Sequence, residues 1–435
     1  MLYSSSMANE NDNNWISSKT VVEALRTFSC DQYGKATRRL NMILVDAVQK
    51  YDVLLETLFA CLLLVVCEVL RGSDVAAQYH LDGAIRLIRM PSVAKSQLLL
   101  ADNNINNWCA MKELSLIFQQ LDLQAAAFSG PRVPICTEDI ESITRYPTFN
   151  LQDSGIADKK GASESTIEDL RQNLLPIQAK VSRFIDFKTV IKCKYHPKLK
   201  QTQEQEDESN AIKKVQETLL EQLKHWKTNF DSVSPGSKEG LNPIKQCATI
   251  ALLLSYLTSY VLLSTSLSPD ETAYDSHSAT FAQIIKLSET FFQQEKFGPD
   301  TLPSSNTFSI DMKVIYPLYI TALKCRDYTM RRRAVHLLSM CGREGVWDGR
   351  MMASIAQSVI AYEEELATRL NSTPREDENS MIAIPERARI HGVGIVDMDR
   401  EQGEVNMVCS RHMGMMTVNI DNQVIWERVV LYAKF

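Results

Sequence analysis

YPLYITALKCRDYTMRRRAVHLLSMCGREGVWDG (316–349) decides the fold. Pro317 suits the first turn of a helix, and Leu318–Cys325 continues it. In the segment from Tyr328 to Cys341, Met330, Ala334, Leu337, Leu338 and Cys341 share one face, while Arg331, Arg332 and His336 occupy a polar one. Gly342–Trp347 is too short to be anything but a tight link. Asp348 after it suits an N-cap, where a carboxylate accepts backbone N–H bonds and meets the positive helix end. The following helix has Met352, Ile355, Ala356, Val359, Ile360, Leu366 and Leu370 on its stripe, and Asn371-Ser372-Thr373-Pro374 stops it. Trp347 is expected buried in the groove of this hairpin, since exposure would waste a large apolar surface. Arg343 and Glu344 are placed to clamp the two helix ends beside it. Arg331-Arg332-Arg333 and Glu363-Glu364-Glu365 read as solvated faces, the arginines pairing with Asp327 or Glu344.

The same logic appears earlier in the chain. Val53 to Leu70 is apolar around its whole circumference, which predicts a helix buried on all sides. Gly72 fits a left-handed cap, and Ser73 or Asp74 can start a second helix with apolar positions 77, 81, 84, 85 and 88 before Pro91. His80, beside that stripe, reads as a hydrogen-bonded, half-buried imidazole. Further helices are expected over Trp108–Phe128, Ala211–Trp226, the uncharged stretch Cys247–Pro269 and Phe281–Gln294. The stretches 151–170, 198–210 and 231–240 read as polar surface loops.

The tail changes period. Val405, Met407 and Cys409 alternate with polar residues, Ile390–Asp397 is less regular, and Asp421-Asn422 sits between Met416–Ile420 and Val424–Trp426 as a hairpin turn. The fold expected is therefore mostly α, packed helix hairpins closed by a small C-terminal β-meander. Its segments are a disordered or atypical stretch 1–29, a helical body 30–386 and a small β tail 387–435 packed on it.

The 435 residues are 45% hydrophobic and 23% charged, ordinary globular proportions, and the net charge of −6 gives no broad footprint for nucleic acid. None of the ten cysteines forms a CxxC pair, and most lie in apolar runs, so reduced buried thiols are expected. Cys61 and Cys67 lie about 120° apart around a helix and cannot share a metal. No P-loop, GxGxxG, HExxH, GxSxG or EF-hand loop occurs, and Gly392-Val393-Gly394 reads as a strand bulge. Cys247–Pro269 carries ten hydroxyl-bearing residues, which favours a core helix over a membrane span.

Taken in order, these segments resemble the fungal-specific transcription factor domain, the helical regulatory region of fungal zinc binuclear cluster regulators. QYGKATRRLNMIL (32–44) is similar to a family helix that precedes its first core hairpin. LLETLFACLLLVVCEVLRGSDVAAQYHLDGAIRLI (54–88) resembles that hairpin, with Glu68, Arg71, Gly72, His80 and Gly83 in the expected places, and 273–289 matches a weaker segment. The strongest likeness is 316–349, through Cys325-Arg326-Asp327, the Arg-rich helix, Arg343-Glu344-Gly345 and Trp347-Asp348. The resemblance implies a nuclear transcription regulator acting through helix packing, with the transcription machinery or regulator proteins as partners, a possible homodimer, and no membrane attachment. It implies no catalytic residue and no cofactor in this chain. Zinc belongs to the family's N-terminal six-cysteine module, which has no counterpart here, so no metal ligand and no DNA contact is assigned. The expectation is that the chain starts downstream of such a module or that the gene has lost it. A helical interaction or dimerisation partner that does not bind DNA is the alternative, and an all-α enzyme with a distributed site a third.

Overall fold

The structure, a computed structural model, describes residues 23–24, 27–44, 51–90, 105–128, 166–192, 203–233, 243–295, 308–370, 383–412 and 426–435. They fall into two compact units, Met1–Phe118 and Gln119–Phe435. The architecture is mostly α with a small C-terminal three-stranded sheet, as the sequence reading expects.

The first unit contains helix α1 (27–44), α2 (Tyr51–Arg71), α3 (Asp74–Ile88) and the start of α4 (Ile105–Phe128). Helices α2 and α3 form the expected hairpin. Gly72 turns it at φ 80°, a left-handed conformation that suits glycine, and the Ser73 N–H returns to the Glu68 carbonyl at 2.9 Å. Ser73 is the N-cap of α3 by position but makes no side-chain cap bond. The hairpin buries Leu58, Leu64, Val65 and Val69 of α2 and Ala77, Leu81 and Ile85 of α3. Burial on all sides of α2 is corrected: Leu63 is 65% exposed and Phe59 and Leu70 also face out, because among the described residues the helix has a partner on only part of its circumference.

In the second unit, α5 (Ile167–Lys192), α6 (Gln203–Val233) and α7 (Pro243–Thr265) pack on one another. A 3-10 turn (Glu271–His277) leads into α8 (Ser278–Glu295). Helix α9 (Ile315–Lys324) is the centre of the unit: apart from half-buried Tyr316, all its residues are buried. Around it pack α8, α10 (Tyr328–Met340) and α11 (Gly349–Leu370). Asp327 caps α10, accepting from the Met330 N–H at 2.8 Å, and Asp348 caps α11, accepting from Met351 N–H at 3.1 Å.

Parts of all three polar stretches are corrected from loop to helix. Residues 203–210 form the exposed first turns of α6, whose apolar stripe (Ile212, Val215, Leu219, Leu223, Trp226, Phe230) begins only afterwards. Residues 231–233 end the same helix, and 167–170 begin α5, which carries Pro176 inside it. At the start of α5, Thr166 and Asp169 exchange bonds: Thr166 N–H donates to the Asp169 carboxylate at 2.7 Å and Asp169 N–H to the Thr166 hydroxyl at 3.2 Å. The remainder of the three expected loops lies outside the described residues.

The link 342–347 contains strand structure. Strand β2 (Arg343–Glu344) pairs antiparallel with β3 (Trp347–Asp348) and parallel with β1 (Phe308–Ser309), and Gly345 makes the turn at φ 56°. The tail is the expected antiparallel meander: β4 (Ile390–Asp399), β5 (Glu404–His412) and β6 (Trp426–Lys434), in the order β4-β5-β6. Val405, Met407 and Cys409 point inward, fully buried, and the register shifts between Ile390 and Gly392, the expected bulge. The hairpin turn expected at Asp421-Asn422 lies outside the described residues.

Candidate functional site

The second unit contains a cavity of about 900 Å³, lined by α4, α5, α7 and the approach to α9. Helical periodicity explains its shape. On α5 the lining positions Arg171, Leu175, Gln178, Ser182 and Asp186 recur every three or four residues, and on α7 Ile244, Ala248, Ala251, Ser255, Ser259 and Leu262 do the same. One stripe of each helix therefore runs along the space, for roughly 22 Å on α5 and roughly 27 Å on α7 at about 1.5 Å per residue. Between Ile244 and Leu262 the stripe on α7 is made of alanines and serines (Ala248, Ala251, Ser255, Ser259), which leaves room where larger residues would fill it.

Most of the wall is apolar, with a few fixed polar groups. Arg171 is held by its own surroundings, donating to Gln120 Oε1 at 2.6 Å and pairing with Asp311 at 3.4 Å and Glu168 at 3.7 Å. Gln178 donates to the Ser259 hydroxyl at 3.3 Å. Lys313 lies 5.8 Å from the centre of the Phe291 ring. Asp186 differs from all of these: its Oδ2 is closed to solvent and has no hydrogen-bond partner. Burial pushes its carboxyl up to about 7, against the pull of Arg183. Tyr316, another wall residue, has its phenol raised by burial and by the charge of Asp186.

Behind Tyr316 stands Trp347. The indole is 2% exposed, with Tyr316, Phe128 and Tyr319 edge-on at 5.1, 5.4 and 5.6 Å between ring centres. Its N–H donates to the Gln124 carbonyl at 3.3 Å, and the Gln124 side chain donates to Ile310 O at 2.9 Å. The expected burial of Trp347 holds, but its place is corrected: it fills the space between the end of α4 and the start of α9. The clamp assigned to Arg343 and Glu344 is corrected as well. Buried Glu344 accepts backbone N–H bonds from Lys313, Val314 and Ile315 at 2.7, 3.1 and 3.1 Å, so it caps α9 rather than joining the ends of α10 and α11. Arg343 is half-buried in β2.

The remaining motif residues form two groups. In the first unit, the Tyr33 hydroxyl and His80 Nε2 are 2.7 Å apart, Arg71 pairs with buried Glu68 at 3.0 Å, and the Arg71 guanidinium lies 5.1 Å from the Tyr33 ring centre. His80 is thus half-buried and hydrogen-bonded, as expected. In the second unit, Arg326 bridges Glu271 at 3.3 Å and Glu363 at 2.9 Å, and its neighbour Cys325 is a buried free thiol.

The solvated reading of the charge runs is corrected for two of their members. Arg331 and Glu363 are both fully buried, 2.7 Å apart, and Glu363 also accepts the Ile390 N–H at 2.7 Å. Arg332 pairs instead with Glu364 at 2.7 Å and Arg333 with Glu289 at 2.6 Å. Lys324 adds an ion pair to Glu271 at 2.8 Å. The network ties α9, α10 and α11 to the 3-10 turn and to β4. Arg389 reinforces the same corner through Asp275 at 2.7 Å, and Glu386 does so through His391 at 2.7 Å and Thr272 N–H at 3.0 Å. Sequence reasoning missed Glu271, Glu363, Asp275, Glu386, Arg389 and His391. A signal existed for two network members: Glu363 continues the stripe Met352, Ala356, Val359, and Arg331 precedes Ala334 and Leu338 on theirs. A charge within an apolar stripe calls for a buried partner.

Among the described residues, no group of three or more His, Cys, Asp or Glu is placed to hold a metal ion. Among the described residues, two helical stretches, Val53–Arg71 and Pro243–Thr265, are long and apolar enough to cross a membrane. The chain matches no family model, and no curated protein or solved structure matches it.

Proposed function

We propose that the chain is the regulatory body of a nuclear transcription regulator of the fungal zinc-cluster class, and that a small molecule in the α5–α7 cavity sets its output. One observation carries the reading. The segment with the most specific family resemblance, 316–349, supplies a wall of the cavity through Tyr316 and its backing through Trp347. A ligand pressing on Tyr316 bears on Trp347, and through the β2–β3 turn on Glu344, which caps α9. Two arrangements of this joint, biased by a bound molecule, are the means of control. In this reading the chain performs no chemistry of its own and carries neither a cofactor nor zinc. It contacts the transcription machinery through protein surfaces, and it needs a separate module to read DNA. Helix α7 is accounted for as half core and half cavity wall, with no membrane required.

The test is a reporter carrying sites for an unrelated DNA-binding module. Fusing this chain to that module is expected to change reporter output several-fold relative to the module alone, while the unfused chain leaves it unchanged. Equal output from fusion and module, at matched abundance, contradicts the proposal.

A second reading, a dimerisation or interaction partner, is favoured by one feature. Helix α2 presents Phe59, Leu63 and Leu70, and α3 presents Val75 and Tyr79, to solvent. Sedimentation equilibrium checks it: a dimer abolished by Leu63→Glu supports this reading, and a monomer at all concentrations removes homodimerisation.

A further inference from the structure

We infer that the α5–α7 cavity takes an elongated, largely apolar molecule bearing a protonated amine, with Asp186 as the carboxylate that anchors it. The inference rests on the proposed function for its regulatory meaning, but it concerns the ligand alone.

Size and shape come first. A space of about 900 Å³ falls in the range of sites that enclose whole small molecules. The two helical stripes that bound it make it long. Ala248 and Ala251 keep the α7 side flat, and the apolar wall offers little to a polar ligand.

Charge selects the end group. Among the described residues, the lining carboxylates are Glu168, Asp186 and Asp311, against the cations Arg171 and Lys313. Glu168 and Asp311 are engaged by Arg171. Asp186 keeps a solvent-free oxygen with no hydrogen-bond partner, an arrangement that costs free energy whenever the group is ionised. A ligand ammonium brought into the cavity offsets that cost and gains a charge-assisted hydrogen bond. An aliphatic acid would instead bring a second negative charge to the Asp186 carboxylate. A neutral alcohol would gain only the apolar contact.

The experiment is titration calorimetry on the purified full chain with three probes of equal length, dodecylamine, dodecanol and dodecanoic acid, each below its micelle concentration. The amine is expected to bind about tenfold or more tightly than the other two, the margin of one charge-assisted hydrogen bond. Asp186→Asn, which keeps the side chain's size, is expected to bring the amine down to the level of the alcohol without changing the alcohol. Ala251→Trp, which fills the space from α7, is expected to abolish binding of all three while the melting temperature stays within a few degrees. Equal binding of the three probes overturns the inference. So does amine binding that is unchanged in Asp186→Asn or in Ala251→Trp. Calorimetry involves no transcription, so amine binding together with a silent reporter fusion would defeat the regulatory reading alone. An active fusion that binds no amine would defeat only the ligand class.

Discussion

Glu363 of α11 and Arg331 of α10 form a 2.7 Å ion pair with neither side chain open to solvent. Burial alone would raise the Glu363 carboxyl, yet Arg326, Arg331 and the Ile390 N–H outweigh it and hold its pKa below the usual carboxylate value. Two arginines share this one carboxylate, so its loss strands Arg331 and leaves Arg326 with Glu271 alone. Glu363→Ala is expected to destabilise the protein by about 3–5 kcal/mol, since an uncompensated buried charge is the costliest way to break a pair. Combining Glu363→Leu with Arg331→Met is expected to cost less than the two single changes added together. Urea unfolding of Glu363→Ala, of Glu363→Leu and Arg331→Met singly, and of their combination checks both statements.

Trp347→Ala removes the indole that Phe128, Tyr316 and Tyr319 surround. The expected loss is about 3–5 kcal/mol, as for other large buried aromatics. A melting curve that coincides with the wild type's would show that the indole is not a structural plug.

Gly345 makes the turn beside it at φ 56°, and a β-carbon there would lie 2.1 Å from Gln124 Oε1. Gly345→Ala therefore meets both backbone strain and a clash with the residue whose carbonyl holds the indole N–H. A destabilisation of about 1–3 kcal/mol is expected. Fluorescence of the indole during denaturation reads it directly.

Acid stability follows from Glu386. Burial would raise its carboxyl, but the hydrogen bond with His391 and the N–H groups of Glu271 and Thr272 bring it down to about 2. A depressed folded-state value means that the stabilisation is complete above the ordinary carboxylate range. It is lost as pH falls from about 4.5 toward 2. The contribution is on the order of 2 kcal/mol once screening of a partly exposed group is allowed for. Glu386→Gln is expected to be less stable than the wild type at neutral pH and to lose less stability across that window. Parallel curves of urea midpoint against pH would contradict this.

The elements were legible where one apolar stripe dictated one helix. The cap Asp348, the left-handed Gly72 and the alternation at Val405, Met407 and Cys409 are local signals, and the structure keeps them. Helix α5 was not read, because Pro176 interrupts its pattern and the reciprocal Thr166–Asp169 cap is its one clear start signal. The ion network was missed for a different reason. Which arginine of Arg331-Arg332-Arg333 turns inward depends on a carboxylate 32 residues away, and adjacent charges carry no mark of their distant partners. Asp186 was not singled out either. Its meaning comes from a space that exists only when α5 and α7 lie side by side.

The central claim is that this space controls the output of the chain, and the Ala251→Trp fusion tests it most directly. Wild-type and Ala251→Trp chains, joined to the same DNA-binding module and matched in abundance and melting temperature, are expected to differ several-fold in reporter output. Identical output from the two would contradict the account.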